Sequence, residues 1–182
     1  MAPREIVMSG LRNWLGFYLM RLVFAVRDFF EPPASILANI GLQRGSTVLD
    51  YGCGTGCFTF AAAELIGPAG RVVAADANPV AVRRVRRVAA KKGLSNVEAV
   101  ETDCATGLDG ASVDVALLYD AFHLLSDPGA VLAELHRVLK PTGVLSMSDH
   151  HLEHEDILEG LTACGQFRLL RRHVGLYTFA RA

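Results

Sequence analysis

Short apolar runs alternate with longer amphipathic stretches through most of this chain. Thr47-Val48-Leu49-Asp50-Tyr51, Arg71–Asp76, Val97–Glu101, Val113–Tyr119 and Val144–Ser148 each read as a strand of a mostly buried parallel sheet. Phe58–Leu65, Pro79–Lys92 and Pro128–Leu139 read as helices between them. The second helix is the best punctuated, with Asn78 as N-cap, Pro79 at the first helical position and Gly93 as the stop. On it Val82, Val85, Val88 and Ala89 face the sheet, while Arg83, Arg84, Arg86, Arg87, Lys91 and Lys92 point outward. Lys140-Pro141-Thr142-Gly143 reads as a turn into the fifth strand. After a helix near Asp156–Cys164, Phe167–Arg171 and Leu176–Ala180 form a closing antiparallel pair. This order predicts an α/β fold, a mostly parallel sheet with helices on both faces and ligands at the carboxyl ends of its strands.

The first 35 residues follow a different pattern. Leu11 to Phe30 is rich in large apolar side chains, but Arg12, Arg21 and Arg27 interrupt it, so it lacks the ~20-residue apolar run of a membrane span. No small-residue cleavage site follows, which argues against a signal peptide. A helix with that much apolar surface must bury it, on the domain's own sheet, over a ligand, at a dimer contact or at a membrane surface with its arginines snorkelling. Glu31-Pro32-Pro33 ends it, and Ala34 to Gly41 reads as a short helix into the main domain. The expected organisation is a helical segment, 1–35, serving as lid or dimer contact, and one domain, 36–182.

Composition narrows the picture. The chain has 182 residues, 51% of them apolar, which suits one α/β core. Its net charge of −1 and lack of a basic tail argue against a nucleic-acid partner, and the basic helix face reads as solvated. Cys53, Cys57, Cys104 and Cys164 have no C-x-x-C spacing, so they read as reduced thiols of a cytoplasmic protein.

The candidate chemistry sits where the first strand ends. Asp50-Tyr51-Gly52-Cys53-Gly54-Thr55-Gly56 leads from strand to helix, where free N–H groups await a ligand and glycines let backbone approach it. About twenty residues on, Asp76 ends the second strand at the distance suited to a ribose-binding carboxylate. Cys57 stands where the dinucleotide fingerprint has its last glycine, and Asp50 suits a cationic amine better than a pyrophosphate.

The D-x-G-x-G-x-G pattern resembles motif I of the class I S-adenosylmethionine (SAM)-dependent methyltransferases. Val73–Asp76, Val113–Asp120 and the run Arg137-Val138-Leu139-Lys140-Pro141-Thr142-Gly143 extend the resemblance, the last toward the branch holding many small-molecule methyltransferases. It implies a Rossmann-like, mostly parallel seven-stranded sheet with a C-terminal antiparallel strand. It also implies a cofactor site for SAM: the Gly52 and Gly54 backbones along the methionine part, Gly56 completing the cofactor-binding loop, Asp50 toward the ammonium and Asp76 on the ribose hydroxyls. Asp103 and the Cys104 backbone N–H would meet the adenine, and Tyr119 or Asp120 would close the methionine end. The implied function is methyl transfer to a small-molecule acceptor in preference to a protein. The alternatives are a non-catalytic SAM-binding regulatory or assembly protein and a nicotinamide-dependent oxidoreductase.

A base is needed only where the acceptor must lose a proton. Asp120, His123 and the cluster Asp149-His150-His151 are the candidates at the carboxyl edge, His150 standing for the last in the catalytic set. His150 and His154 are four apart and would share a helix face able to bind a metal, but the stretch reads as a polar loop and helix start, and no metal is expected.

Overall fold

The computed structural model describes residues 32–173 and 175–182. The expectations attached to Leu11–Phe30 lie outside the described residues.

The described chain runs α1 (Pro33–Asn39), β1 (Thr47–Tyr51), α2 (Cys57–Ile66), β2 (Arg71–Asp76), α3 (Pro79–Lys92), β3 (Val97–Glu101) and β4 (Val113–Tyr119). A 3₁₀ turn (Phe122–Leu124), α4 (Pro128–Val138), β5 (Leu139–Ser148), α5 (His154–Thr162), β6 (Phe167–His173) and β7 (Leu176–Arg181) complete it. The strands form one seven-stranded sheet in the order β3-β2-β1-β4-β5-β7-β6. Neighbours from β3 to β5 are parallel, and β7 runs antiparallel to both β5 and β6. The α/β expectation holds, including the one reversed strand.

The sheet is buried on both sides because its apolar strands alternate between two packed layers. On one face Leu49, Val73, Ala116, Leu118, Leu145, Met147 and Phe179 meet Val131, Leu132, Leu135 and Val138 of α4 and Ile157 and Leu161 of α5. On the other, Val48, Val72, Val115 and Leu117 meet Leu37 of α1 and Phe58, Ala62, Ala63 and Ile66 of α2. There Ala74 and Ala99 meet Val82, Val85 and Ala89 of α3. Leu117 and Leu118 are wholly buried on opposite faces, each contributing roughly 1.5–3 kcal/mol of transfer free energy.

The signals around α3 act as read: Asn78 Oδ1 accepts from Val80 N–H at 2.9 Å, and Gly93 ends the helix at φ +68°. Its basic face is not wholly free, however. Arg84 Nε donates to Thr55 O of the glycine loop and Arg86 Nη2 to Ala99 O of the edge strand β3, at 3.1 and 2.7 Å, because a guanidinium can reach and satisfy such carbonyls.

The expected turn at Lys140–Gly143 is instead part of β5, and α4 ends one residue earlier, at Val138. Pairing steps from Val113–Leu139 to Val115–Val144, so these four residues bulge within the strand. A bulge tolerates Pro141, which a regular ladder would not. A Cβ on Gly143 would stand 2.9 Å from Val113 O. The helix expected near Asp156–Cys164 begins earlier, at His154, and ends at Thr162.

Candidate functional site

Strand order reverses direction between β1 and β4, and the loops leaving their carboxyl ends part there to leave a crevice. The cavity in it has a volume of about 260 Å³ and is lined by the 51–55 loop, Asp76, Asp103, Tyr119 and Asp120, among others.

The three motif glycines divide the work. Gly52 and Gly56 serve close packing: a Cβ would stand 2.5 Å from Ala121 Cβ at the first and 2.7 Å from the Phe60 ring at the second. Gly54 faces the cavity, where a Cβ would meet nothing closer than 3.9 Å. Its N–H is fixed by donation to Asp76 Oδ2, while Asn78 N–H donates to Asp76 Oδ1, both at 2.8 Å. Asp76 thus ties the glycine loop to the start of α3 and keeps lone pairs for further donors. Burial raises its carboxyl above the usual range, and these N–H donors oppose the rise.

Asp50 and Cys104 sit differently from their expected roles. Asp50 is 3% exposed, turned beneath the loop to accept the Thr59 hydroxyl at 2.5 Å, and does not line the cavity. Burial pushes its carboxyl up to about 6, despite the Thr59 bonds that favour the ion. The Cys104 N–H donates to Thr102 Oγ1 at 3.1 Å, and it is Thr102 and Asp103 that border the cavity.

Tyr119 closes the β4 side, with its hydroxyl 2.7 Å from Ser146 Oγ and its ring edge-on to Phe58 at 4.4 Å. Tyr51, read only as a strand residue, contributes a feature that no motif signals. Its side chain borders the cavity, yet its hydroxyl is buried without a hydrogen-bond partner among the described residues. Burial, reinforced by the negative surroundings of Asp103, Glu134 and Asp76, pushes that hydroxyl up to about 12.

The candidate bases meet as two crossed acid–histidine pairs, one acid and one histidine from each of the loops after β4 and β5. Asp120 Oδ1 lies 2.7 Å from His150 Nδ1 and also accepts the His150 N–H. Asp149 Oδ2 lies 2.8 Å from His123 Nδ1, and Asp149 also accepts the His123 and His151 N–H groups. Burial would raise Asp149, but its bonds to His123 and to the two backbone N–H groups outweigh that and hold it below the usual range. The rings of His123 and His151 pack against each other, tilted by 44°, with centroids 4.3 Å apart. Asp120 holds its position at φ +49°, its N–H donating to Ser148 O at 2.8 Å. The i, i+3 spacing of Asp120 and His123 was visible in sequence, but the crossed pairing needs β4 beside β5.

His150 precedes α5 while His154 begins it, so the two do not share a helix face. His154 Nδ1 instead lies 3.0 Å from the Tyr177 hydroxyl.

A glycine loop with an inward-facing backbone, a strand-end acid and a second acid across the crevice fit a nucleoside-bearing cofactor at the switch point of a doubly wound sheet. The chain belongs to the methyltransferase-domain family, which matches residues 42–170, and to its class I SAM-dependent type. It is 36% identical to the nocamycin O-methyltransferase of Saccharothrix syringae, over 66% of this chain and 44% of that protein. Identity to the demethylmenaquinone methyltransferase of Geobacillus stearothermophilus is 28%, over 69% of this chain and 54% of that protein. The crystal structure of a SAM-dependent methyltransferase from Aquifex aeolicus is similar with a TM-score of 0.74 and 28% identity, covering 82% of this chain and 88% of that one. The chain spans about half the length of the curated relatives it matches. No helix among the described residues is long and apolar enough to cross a membrane.

Proposed function

We propose that this chain transfers a methyl group from SAM to a small-molecule acceptor. The observation that carries the reading is the cavity at the β1–β4 crevice, where Gly54 and Asp76 face Tyr119 and Asp120. When bound, SAM supplies a methyl group made electrophilic by its sulfonium. The chain's part is to hold and orient: the backbone at Gly52 and Gly54 receives the methionine end, Asp76 the ribose and Asp103 the adenine. Asp50, beneath the loop, contributes negative charge when ionised. Tyr119 and Asp120 bound the end facing β4, and this reading draws its proton acceptor from the candidates Asp120, His123 and His150. The small-molecule methyltransferases among its relatives support the acceptor class. The reading assigns cover of the acceptor, as lid or dimer contact, to the Leu11–Phe30 segment. Free thiols at Cys53, Cys104 and Cys164 support a reducing, cytoplasmic setting.

The test uses the full-length protein, methyl-labelled SAM and a cell extract separated into metabolite, protein and nucleic-acid fractions. Label in the metabolite fraction above a no-enzyme control is the expected result. Label confined to protein or nucleic acid refutes the acceptor class, and failure to bind S-adenosylhomocysteine refutes the cofactor.

A further inference from the structure

The described residues also enclose a second cavity, of about 370 Å³, whose lining includes Ser35 and Ile36 of α1, Leu176 of β7, and Ser148 and His150. It shares no lining residue with the first. The two abut across adjacent strands, because Tyr119 and Ser148 are partners in the β4–β5 ladder. One side-chain pair joins them: Asp120 lines the first cavity, His150 lines the second, and 2.7 Å separates their bonded atoms. The Asp120 side chain is 9% exposed and that of His150 is 63% exposed, so a shielded carboxylate holds an accessible imidazole.

We propose that the second cavity receives the methyl acceptor, that His150 Nε2 is its general base, and that the acceptor is a weakly acidic hydroxyl compound, a phenol or an enol. This rests on the methyltransferase reading above. With Nδ1–H donated to Asp120, the imidazole keeps Nε2 as its proton acceptor. Asp120 is a positioning residue, fixing tautomer and ring orientation and stabilising the cation that forms. The acceptor O–H breaks, its proton passes to Nε2, the electron pair stays on oxygen, and the exposed imidazole later releases the proton to water. A neutral amine needs no proton removed before it attacks, and a carboxylate is already ionised, whereas a phenol or enol gains nucleophilicity from the transfer. His123 is set apart because its Nδ1 reaches both oxygens of Asp149, its ring packs on His151, and it lines neither cavity. Ile36 and Leu176 give the cavity apolar wall for a ring.

The test uses the full chain saturated with S-adenosylhomocysteine, which cannot donate a methyl group, and 4-nitrophenol, whose phenolate absorbs visibly. Calorimetry with S-adenosylhomocysteine comes first, and its failure to bind overturns the methyltransferase reading itself. Given that binding, 4-nitrophenol is expected to bind saturably with its ionisation midpoint lowered by about one pH unit. In His150→Gln the midpoint returns to that of the free probe while S-adenosylhomocysteine affinity is kept. Asp120→Asn moves it the same way, in a conformation asparagine tolerates at positive φ. Ser35→Trp, at an exposed position lining the cavity, removes probe binding and leaves S-adenosylhomocysteine affinity within twofold. Absence of saturable probe binding, an unchanged midpoint in His150→Gln, or a midpoint that moves in His123→Gln instead, overturns the assignment with the cofactor reading intact.

Discussion

Replacing Asp50 by Asn should stabilise the ligand-free protein at neutral pH. The carboxyl is 3% exposed at the carboxyl end of β1, and burial raises it from 3.8 to about 6 against the Thr59 bonds. At about 1.4 kcal/mol per pH unit, that rise amounts to about 3 kcal/mol of destabilisation once the group is ionised. The folded state holds the proton more tightly than the unfolded chain, so this contribution is absent below pH 3.8 and grows until the pH passes about 6. Asn keeps the shape and can exchange a hydrogen bond with the Thr59 hydroxyl, but carries no charge to desolvate. Urea unfolding of both proteins at half-unit steps from pH 4 to 8 measures the difference. Asp50→Asn should match the wild type near pH 4 and exceed it by up to about 3 kcal/mol at pH 7.5. A variant of lower stability at pH 7.5, or a difference that does not vary with pH, would refute the reasoning.

Two further substitutions test the packing around the cofactor cavity. Gly56→Ala puts a Cβ at φ +84° and 2.7 Å from the Phe60 ring, so denaturant unfolding should show a loss of about 2–4 kcal/mol. A loss under about 0.5 kcal/mol would mean that the loop can move to accommodate it. Tyr51→Phe removes the buried hydroxyl that has no partner among the described residues, so the ligand-free protein should gain about 1 kcal/mol in the same assay. A loss of stability would show that the hydroxyl is satisfied in solution.

Much of the cofactor side was legible because local chemistry specifies it. An apolar run ending in Asp50, a loop needing glycine backbone, and Asp76 at the end of the next strand follow one another closely in the chain, so their order nearly determines their geometry. Even so, sequence assigned all three glycines toward the ligand. Packing decided that Gly52 lines the cavity while also making room for Ala121, that Gly54 lines it openly, and that Gly56 makes room for Phe60 and does not line it. Whether Asp50 points to the cavity or to Thr59, and whether the Cys104 N–H is free or bonded to Thr102, likewise depended on neighbours.

By itself, the sequence determined the alternating elements, the caps of α3 and the two strand-end acids, because these rest on periodicity and on backbone demands that act over a few residues. The tertiary structure alone decided the bulge at Lys140–Gly143, the burial of the Tyr51 hydroxyl and the second cavity. It also decided which acid each histidine meets: Asp120 and His150 are thirty residues apart, Asp149 and His123 twenty-six. Parallel pairing of β4 with β5 brings the two loops to one edge, and no local rule of residue type or spacing encodes that crossing.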